Sequence, residues 1–392
     1  MPMAVPKAAN SNNWEDSNMT KIHKDSTKSR RAFLKTGATA AAAGAATLAM
    51  PNVARAQEAV VFKFQSTWPA KDIFHEFAVD FVTRVNDMGG GRLKIELLAA
   101  GAVAKALEVH DAVLAGTLDG GHGVTAYWYG KHKAYSLFGT PPAWGWRANQ
   151  MIGWMKYGGG QELYDELVQQ ILGLNLVGFL TGPMPTQPLG WFKQQITDAE
   201  QLKGLKYRTV GLSADLFKEM GAAVTIMGGG EIVPAMDRGL LDAAEFNNPS
   251  SDKLLGFPDV SKDYMLQSYH QSAECFEIIF NKTKFDALSP DLQAIIRYAA
   301  EAASTDMSWK AMDRYSKDLE ALRAAGVNVH RTPDSVLQAQ LAAWDKVIAA
   351  QSADPFFAKV VESQKAWAKR VVATQFDMEV DQKMAYDHFF KG

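Results

Sequence analysis

Apolar and polar positions follow two different periods along the first part of the chain. Residues 60–66 alternate one by one, which is typical of a half-buried strand, and residues 74–88 place apolar side chains three and four positions apart, which predicts a helix. Three glycines at 89–91 end this helix, and a strand at 93–97 and a helix at 107–118 follow. This order predicts βα units around a largely parallel sheet.

The same two periods recur in the middle of the chain. Strands are predicted at residues 176–180, 205–208, 241–246 and 276–280, and helices at residues 211–220 and 231–240. Gly190-Trp191-Phe192 lies in a turn-rich region. These elements predict a second unit of mixed strands and helices.

The pattern changes after Asp291. Residues 292 to about 325 hold a helical period without a turn signal, which predicts one long helix, and residues 335–351 and 356–376 continue as helices. The chain is therefore expected to fold as an α/β protein of two lobes followed by an α-helical tail.

Residues 1–56 are set apart by their composition. Adjacent arginines at 30 and 31 stand before a stretch, residues 36–50, that is almost entirely Ala, Gly, Leu and Thr, and Ala54 and Ala56 place small residues where a signal peptidase cleaves. This order predicts a twin-arginine signal peptide and export to the periplasm. The alternatives are a retained anchor and a disordered tail, although the stretch is shorter than the roughly 20 apolar residues of a spanning helix.

Charge and cysteine content narrow the classes of partner. Residues 1–56 carry eight of the 41 basic and three of the 43 acidic residues, so the remaining 336 residues have a net charge near −7. A mildly acidic surface argues against nucleic acid or an anionic membrane as the partner. The single cysteine, Cys275, excludes an internal disulfide and a cysteine-based metal site. The remaining length indicates two domains.

The chain contains none of the common catalytic motifs. G-x-S-x-G, a P-loop, H-E-x-x-H and C-x-x-C are absent, and the eight histidines have no short metal-ligand spacing. Gly228-Gly229-Gly230 lacks the spacing of a dinucleotide-binding loop. We therefore expect a binding protein and not an enzyme. The alternative is a periplasmic enzyme of unknown reaction, because the twin-arginine route often exports folded cofactor proteins.

Five residues are candidates for ligand binding. Arg208 ends an apolar strand just before a helix, where crevices form in α/β sheets, and its guanidinium can hold a carboxylate through two parallel hydrogen bonds. Glu245 follows a strand and Gln187 lies in a proline-rich loop, so both can face such a crevice. Tyr127 and Trp128 can line a pocket. The alternatives are that Arg208 lies on the surface, that Glu245 is a loop carboxylate exposed to water, that Gln187 is a turn residue and that the two aromatic residues belong to the core.

Two segments carry a family resemblance. Gly204-Leu205-Lys206-Tyr207-Arg208-Thr209-Val210-Gly211 and residues 231–245, which include Asp237-Arg238-Gly239, resemble the DctP-type receptors of tripartite ATP-independent periplasmic (TRAP) transporters. Within that family the chain looks most similar to receptors for 2-oxoacids and related monocarboxylates. The supporting pieces are Gly121-His122-Gly123 before Tyr127-Trp128-Tyr129-Gly130, and Gln187 before Gly190-Trp191-Phe192.

The resemblance implies a two-lobed periplasmic-binding-protein-like fold. Lobe 1 comprises residues 57–183 with 272–290, and lobe 2 comprises residues 184–271. A hinge-spanning long helix occupies residues 291–330, and the C-terminal helices of residues 331–392 are a candidate segment for a homodimer. The alternative for that segment is packing on its own lobe. The lobes are expected to close over a small organic carboxylate and to deliver it to TRAP membrane subunits.

The resemblance also implies roles for individual residues. Arg208 clamps the ligand carboxylate, and Phe246 shapes the pocket wall. A metal ion that bridges ligand and protein would be bound by Gln187, the Glu245 carboxylate, the Phe246 carbonyl and Gln271. Phe246 stands where the 2-oxoacid branch has Trp, and Gln271 stands where it has Glu. The missing carboxylate at Gln271 removes a negative charge from the metal site and should weaken the binding of Ca²⁺ most. No cofactor is required, and Na⁺, Ca²⁺ and no ion are the options.

Overall fold

Two β-sheets organise the described part of the chain, residues 59–391 of the computed structural model. The predicted signal peptide, residues 1–56, lies outside the described residues. The strands are β1 Val60–Ser66, β2 Leu93–Leu98, β3 Gly120–Gly123, β4 Leu176–Met184, β5 Gly190–Phe192, β6 Lys206–Arg208, β7 Ala223–Thr225, β8 Ala243–Ala244, β9 Asp263–Leu266, β10 Glu274–Asn281 and β11 Asn328–Arg331.

Helices surround both sheets. They are α1 Ile73–Gly89, α2 Val109–Leu114, α3 Tyr135–Gly139, α4 Ala148–Tyr157, α5 Gly160–Asp165, α6 Leu212–Glu219, α7 Gly229–Asp237, α8 Pro249–Leu255, α9 Phe257–Val260, α10 Lys282–Asp286, α11 Pro290–Ala324, α12 Asp334–Gln351, α13 Pro355–Met378 and α14 Gln382–Phe390. The predicted α/β class, with a long helix and a helical tail, is confirmed.

The first sheet has the strand order β2-β1-β3-β10-β4. β1 pairs in parallel with β2 and β3, as the sequence pattern predicts, but β10 runs antiparallel to both of its neighbours. The expected largely parallel sheet is therefore correct only for the first three strands. Glycines in β3 let it approach β1 closely, since a Cβ at Gly120 would lie 2.1 Å from the Phe64 ring.

The second sheet has the strand order β11-β9-β5-β8-β6-β7. β6 is parallel to β7 and β8, whereas β5 is antiparallel to β8 and β9. β5 is the Gly190-Trp191-Phe192 segment that the sequence assigns only to a turn-rich region. Its three residues are all buried, and such a short run shows no alternation from which a strand could be predicted.

The chain crosses between the sheets in three places. The segment between β4 and β5 leads from the first sheet to the second, the segment between β9 and β10 returns, and α11 leads back to β11. The first two crossing segments are bonded to each other, since the Gln187 N–H donates to the Gln271 carbonyl at 3.1 Å. Side chains on these segments therefore lie at the boundary between the two sheets.

Helix α11 runs for 35 residues along this boundary. It packs against α1 and β4 beside the first sheet and against α8 beside the second. Asp318 of α11 accepts hydrogen bonds from Ser250 (2.6 Å) and Lys253 (2.8 Å) of α8. The predicted range 291–330 is too long, because the helix ends at Ala324, Gly326 follows with φ +81°, and β11 begins at Asn328.

Among the C-terminal helices, α13 packs on the first sheet's side of the molecule, α12 packs mainly against α6 beside the second sheet, and α14 has no buried residue. α13 lies on α4, where the Trp367 indole donates to the Gln150 carbonyl (2.9 Å), and the Gln364 amide donates to the Leu137 carbonyl of α3 (2.6 Å). Phe357, Val360 and Val361 are buried in the same core. The apolar face predicted in residues 356–376 is thus covered by its own chain. Within residues 59–391, no helix combines the length and apolar character needed to span a membrane.

Candidate functional site

Arg208 is buried at the end of β6, with 1 % of its surface exposed. Its Nε and Nη2 donate to the Met227 carbonyl at 3.1 and 2.8 Å, and its Nη1 donates to the Glu245 carbonyl and carboxylate at 3.0 Å each. These four bonds hold the guanidinium plane and leave at least one of its five N–H groups for another acceptor. Arg208 is therefore not the surface arginine that was the alternative.

Glu245 follows β8 directly and forms the ion pair with Arg208 inside the protein. Its side chain is 1 % exposed, and its Oε2 has no hydrogen-bond partner among the described residues. Burial raises the pKa of Glu245 to about 7, although the Arg208 charge acts in the opposite direction. A buried carboxylate oxygen without a donor is a strong candidate for contact with a ligand or cation.

Gln187 and Gln271 lie on the two crossing segments. Gln271 is fully buried, and neither Oε1 nor Nε2 of its side chain has a partner among the described residues. The Gln187 Nε2 donates to Glu274 Oε2 at 2.6 Å, while its Oε1 is also buried and without a partner. The two glutamines therefore bring three unsatisfied polar atoms to the boundary between the sheets.

Glu274 is a buried carboxylate that the sequence reasoning missed. It opens β10, and its Oε2 accepts from Gln187 Nε2 and, at 2.5 Å, from Asn247 Nδ2. Burial raises the pKa of Glu274 to about 8, and the nearby charge of Glu245 acts in the same direction. An acidic residue at the start of a fully buried strand was the one available signal.

Aromatic rings form one wall of this region. Phe246 lies 5.8 Å from the Arg208 guanidinium and packs against Trp68 (6.4 Å between ring centroids) and Phe74 (5.7 Å). Tyr127 lies 5.7 Å from Trp68, and burial raises its pKa above the ordinary value. Since Trp68 and Phe74 belong to the first sheet's side and Phe246 follows β8, the wall joins both sheets.

Trp128 is not brought to this group. Its indole N–H donates to Glu277 at 2.5 Å, and its ring packs 5.0 Å from His110 inside the core. The structure therefore places Trp128 as the core aromatic that was its alternative, because the buried Glu277 carboxylate draws the indole inward.

The donor set suits a hard cation better than a transition metal. The unsatisfied oxygens of Gln187, Glu245 and Gln271 are amide and carboxylate oxygens, which Ca²⁺ and similar cations prefer. The Phe246 carbonyl, the fourth predicted ligand, directly follows Glu245 in the chain. No group of three or more His, Cys, Asp or Glu residues suited to a metal occurs within residues 59–391. A cation here would instead depend on the amide oxygens of Gln187 and Gln271 beside the Glu245 carboxylate, and this chemistry fits an oxygen-coordinated ion.

Comparison with known proteins identifies the family. Residues 64–354 match the family model of bacterial extracellular solute-binding proteins, family 7, named DctP. A periplasmic protein of Nostoc sp., described as monocarboxylate 2-oxoacid-binding, is 31% identical over 315 residues, which are 80% of this chain and 85% of that protein.

Solved structures agree in fold. A TRAP transporter solute-binding protein from Bordetella bronchiseptica, a mixed-occupancy dimer with copurified calcium and picolinate, is 25% identical with a TM-score of 0.79, over 84% of this chain and 97% of that one. A TRAP periplasmic solute-binding protein from Pseudoalteromonas atlantica with bound sodium and pyruvate is 30% identical with a TM-score of 0.77, over 85% and 99%. The chain therefore belongs to the DctP family of extracellular solute-binding proteins, the receptors of TRAP transporters.

Proposed function

We propose that this receptor captures a small monocarboxylate of the 2-oxoacid class, such as pyruvate, and holds its carboxylate on Arg208. The observation that carries the proposal is the buried Arg208 guanidinium, which keeps an unused N–H beside unsatisfied polar atoms of Glu245, Gln187 and Gln271. The descriptions of the Nostoc and Pseudoalteromonas relatives support the same ligand class.

Physical chemistry explains how the site would hold such a ligand. Met227 and Glu245 fix the guanidinium, so little side-chain entropy is lost when a carboxylate arrives. Burial removes water and strengthens the charge-assisted bond. Phe246 and Tyr127 supply apolar walls for the carbon skeleton. The ligand is bound without chemical conversion.

Capture would couple to closure of two lobes. We assign residues 57–183 with 272–290 to one lobe and residues 184–271 to the other, with α11 bracing the hinge. In support, the Ser251 hydroxyl of α8 donates to Asp72 just before α1 (2.5 Å), a contact between the two assigned lobes. A ligand that touches both lobes only when they are closed shifts the balance towards the closed form.

A bridging cation fits the same site. Gln187, Glu245, Gln271 and the Phe246 carbonyl would hold Na⁺ or Ca²⁺, which would supply positive charge to a second oxygen of the ligand. The ions described in the two solved relatives support this assignment.

The test is calorimetric titration with pyruvate, lactate and longer 2-oxoacids. Arg208→Ala should weaken binding by about 2–5 kcal/mol, a loss of about 30-fold or more, because it leaves the carboxylate unpaired in a dry site. Arg208→Lys should lose less, since it keeps the charge but not the fork. Arg84→Ala, which removes an arginine paired with Asp306 away from the cleft, is the control. Unchanged affinity in Arg208→Ala would overturn the proposal.

The remaining assignments concern location and assembly. We place the receptor in the periplasm by twin-arginine export, with TRAP membrane subunits as partners; replacing Arg30 and Arg31 by Lys should leave the precursor in the cytoplasm.

We assign homodimerisation to the C-terminal helices, because α14 leaves Phe389 and Phe390 exposed and the Bordetella relative is a dimer. Light scattering of a Phe389→Ser, Phe390→Ser variant should give a monomer mass.

A further inference from the structure

The predicted cation site lacks a carboxylate at Gln271, and Glu274 lies three residues further along the chain. Both residues are buried, and both lie at the point where the chain returns from the second sheet to β10. The Glu274 side chain reaches the same Gln187 whose backbone N–H is bonded to the Gln271 carbonyl. A second carboxylate is therefore present in this region, although at a different position in the sequence.

Glu274 also determines which atom of the Gln187 amide is left without a partner. Glu274 Oε2 accepts N–H groups from both Gln187 and Asn247, so the Gln187 amide presents its NH₂ group, and not its oxygen, to Glu274. Its Oε1, the atom that can bind a cation, is thereby left buried without a partner. Asn247 donates to the same Glu274 oxygen and links it to the loop that follows Glu245 and Phe246. Such supporting contacts orient metal ligands in other proteins.

The charges of the buried side chains also favour a cation at this site. When both are ionised, Glu245 and Glu274 carry two negative charges against the single positive charge of Arg208; burial raises the pKa of both, so the ionised state needs a further positive charge nearby. A bound carboxylate would add a further negative charge. Buried charges need compensation, so a carboxylate ligand would leave this site with an excess of two negative charges that a divalent cation would neutralise.

We propose that Glu274 is the positioning residue and second negative charge of the cation site, in place of the carboxylate that Gln271 lacks, and that it favours Ca²⁺ over Na⁺. This inference rests on the proposed function, because it assigns a role within the same ligand-binding site. Glu274 acts on the cation through Gln187 and through its charge.

The experiment is calorimetric titration of the full-length receptor with CaCl₂ and with NaCl, each alone and in the presence of saturating pyruvate. Glu274→Gln should lower Ca²⁺ affinity by about 10–100-fold, the usual cost of losing a group that supports a metal ligand, and should change Na⁺ affinity much less. Adding Gln271→Glu to this variant should restore Ca²⁺ binding, since it returns the charge to the site. Glu277→Gln, on the same strand but bonded within the core, should change neither affinity.

Melting curves by circular dichroism establish that each variant is folded. If Glu274→Gln alone does not fold, the double variant, which keeps the net charge of the wild type, should still bind Ca²⁺ more weakly than Gln271→Glu alone. Ca²⁺ affinity that is unaffected by Glu274→Gln, or an equal loss in Glu277→Gln, would overturn the role of Glu274, as would a wild type that binds no Ca²⁺. If such a wild type still bound pyruvate in an Arg208-dependent way, the proposed function would stand and only this inference would fail.

Discussion

Glu274 and Glu277 lie three residues apart on β10, and both are buried acids with raised pKa values, of about 8 and about 7. Their surroundings differ. Glu277 accepts from the Trp128 indole at 2.5 Å through one oxygen and from the Tyr164 hydroxyl at 2.5 Å through the other. Glu274 instead accepts two amide N–H groups on one oxygen and lies beside side chains with unsatisfied polar atoms.

The difference teaches how to separate a structural acid from a functional one. Burial raises the pKa of both groups, so a perturbed pKa does not distinguish them. The hydrogen bonding of the neighbouring groups does distinguish them. Both donors beside Glu277 bond to it, whereas Gln187, Glu245 and Gln271, near Glu274, keep polar atoms without a partner. We therefore assign Glu277 to stability and Glu274 to the cation site.

The largest expected effect is on stability, from Glu277→Ala. This change leaves the Trp128 and Tyr164 donors buried without acceptors, at about 1–3 kcal/mol each, so the free energy of unfolding should fall by about 2–6 kcal/mol. Glu274→Ala should cost less, because Asn247 lines a solvent-accessible pocket where water can replace the lost acceptor. Urea unfolding followed by circular dichroism measures both. Equal losses would remove the distinction between the two acids.

The next effect is on ligand binding, from Glu245→Gln. Glu245 supplies the one carboxylate among the ligands predicted from the sequence, so the cation dependence of pyruvate binding should disappear in this variant. In the wild type, chelation of calcium in sodium-free buffer should weaken pyruvate binding by about tenfold or more, as for loss of a group that supports the site. Glu277→Gln should respond as the wild type does. A wild type insensitive to both treatments would show that the cation has no role in binding.

The sequence predicted the long, periodic elements and two short strands, β6 and β8, but it missed β5, β7, β9 and β11. β1, α1 and α11 were predictable because each repeats its apolar period over seven or more residues. β5 and β11 have three and four residues, so their identity is set by strand pairing in the second sheet and not by local pattern. The antiparallel insertion of β10 between β3 and β4 is likewise a long-range property.

The candidate site was predictable to a similar extent. Arg208 ends β6 and Glu245 directly follows β8, and this local signal with the family resemblance led to both. Trp128 and Glu274 could not be assigned in the same way. The direction of the Trp128 side chain depends on its bond to Glu277, and that of Glu274 on its bond to Gln187, and both partners lie in distant segments of the chain. Sequence pattern therefore identifies positions near the site, and tertiary contacts decide which of them face it.

The last expected effect is on the pH dependence of stability, and it concerns Glu277 alone. Burial raises the pKa of Glu277 from 4.5 to about 7, so between these pH values the folded protein holds a proton that the unfolded chain has released. Its contribution to stability is then fully present below about pH 4.5 and is lost as the pH rises to about 7. The free energy of unfolding of the wild type should therefore fall relative to that of Glu277→Gln across this range, by at most about 1.4 kcal/mol per pH unit. Parallel pH profiles for the two proteins would mean that Glu277 is ionised in the core, and the hydrogen bonds from Trp128 and Tyr164 would then outweigh the cost of burying its charge.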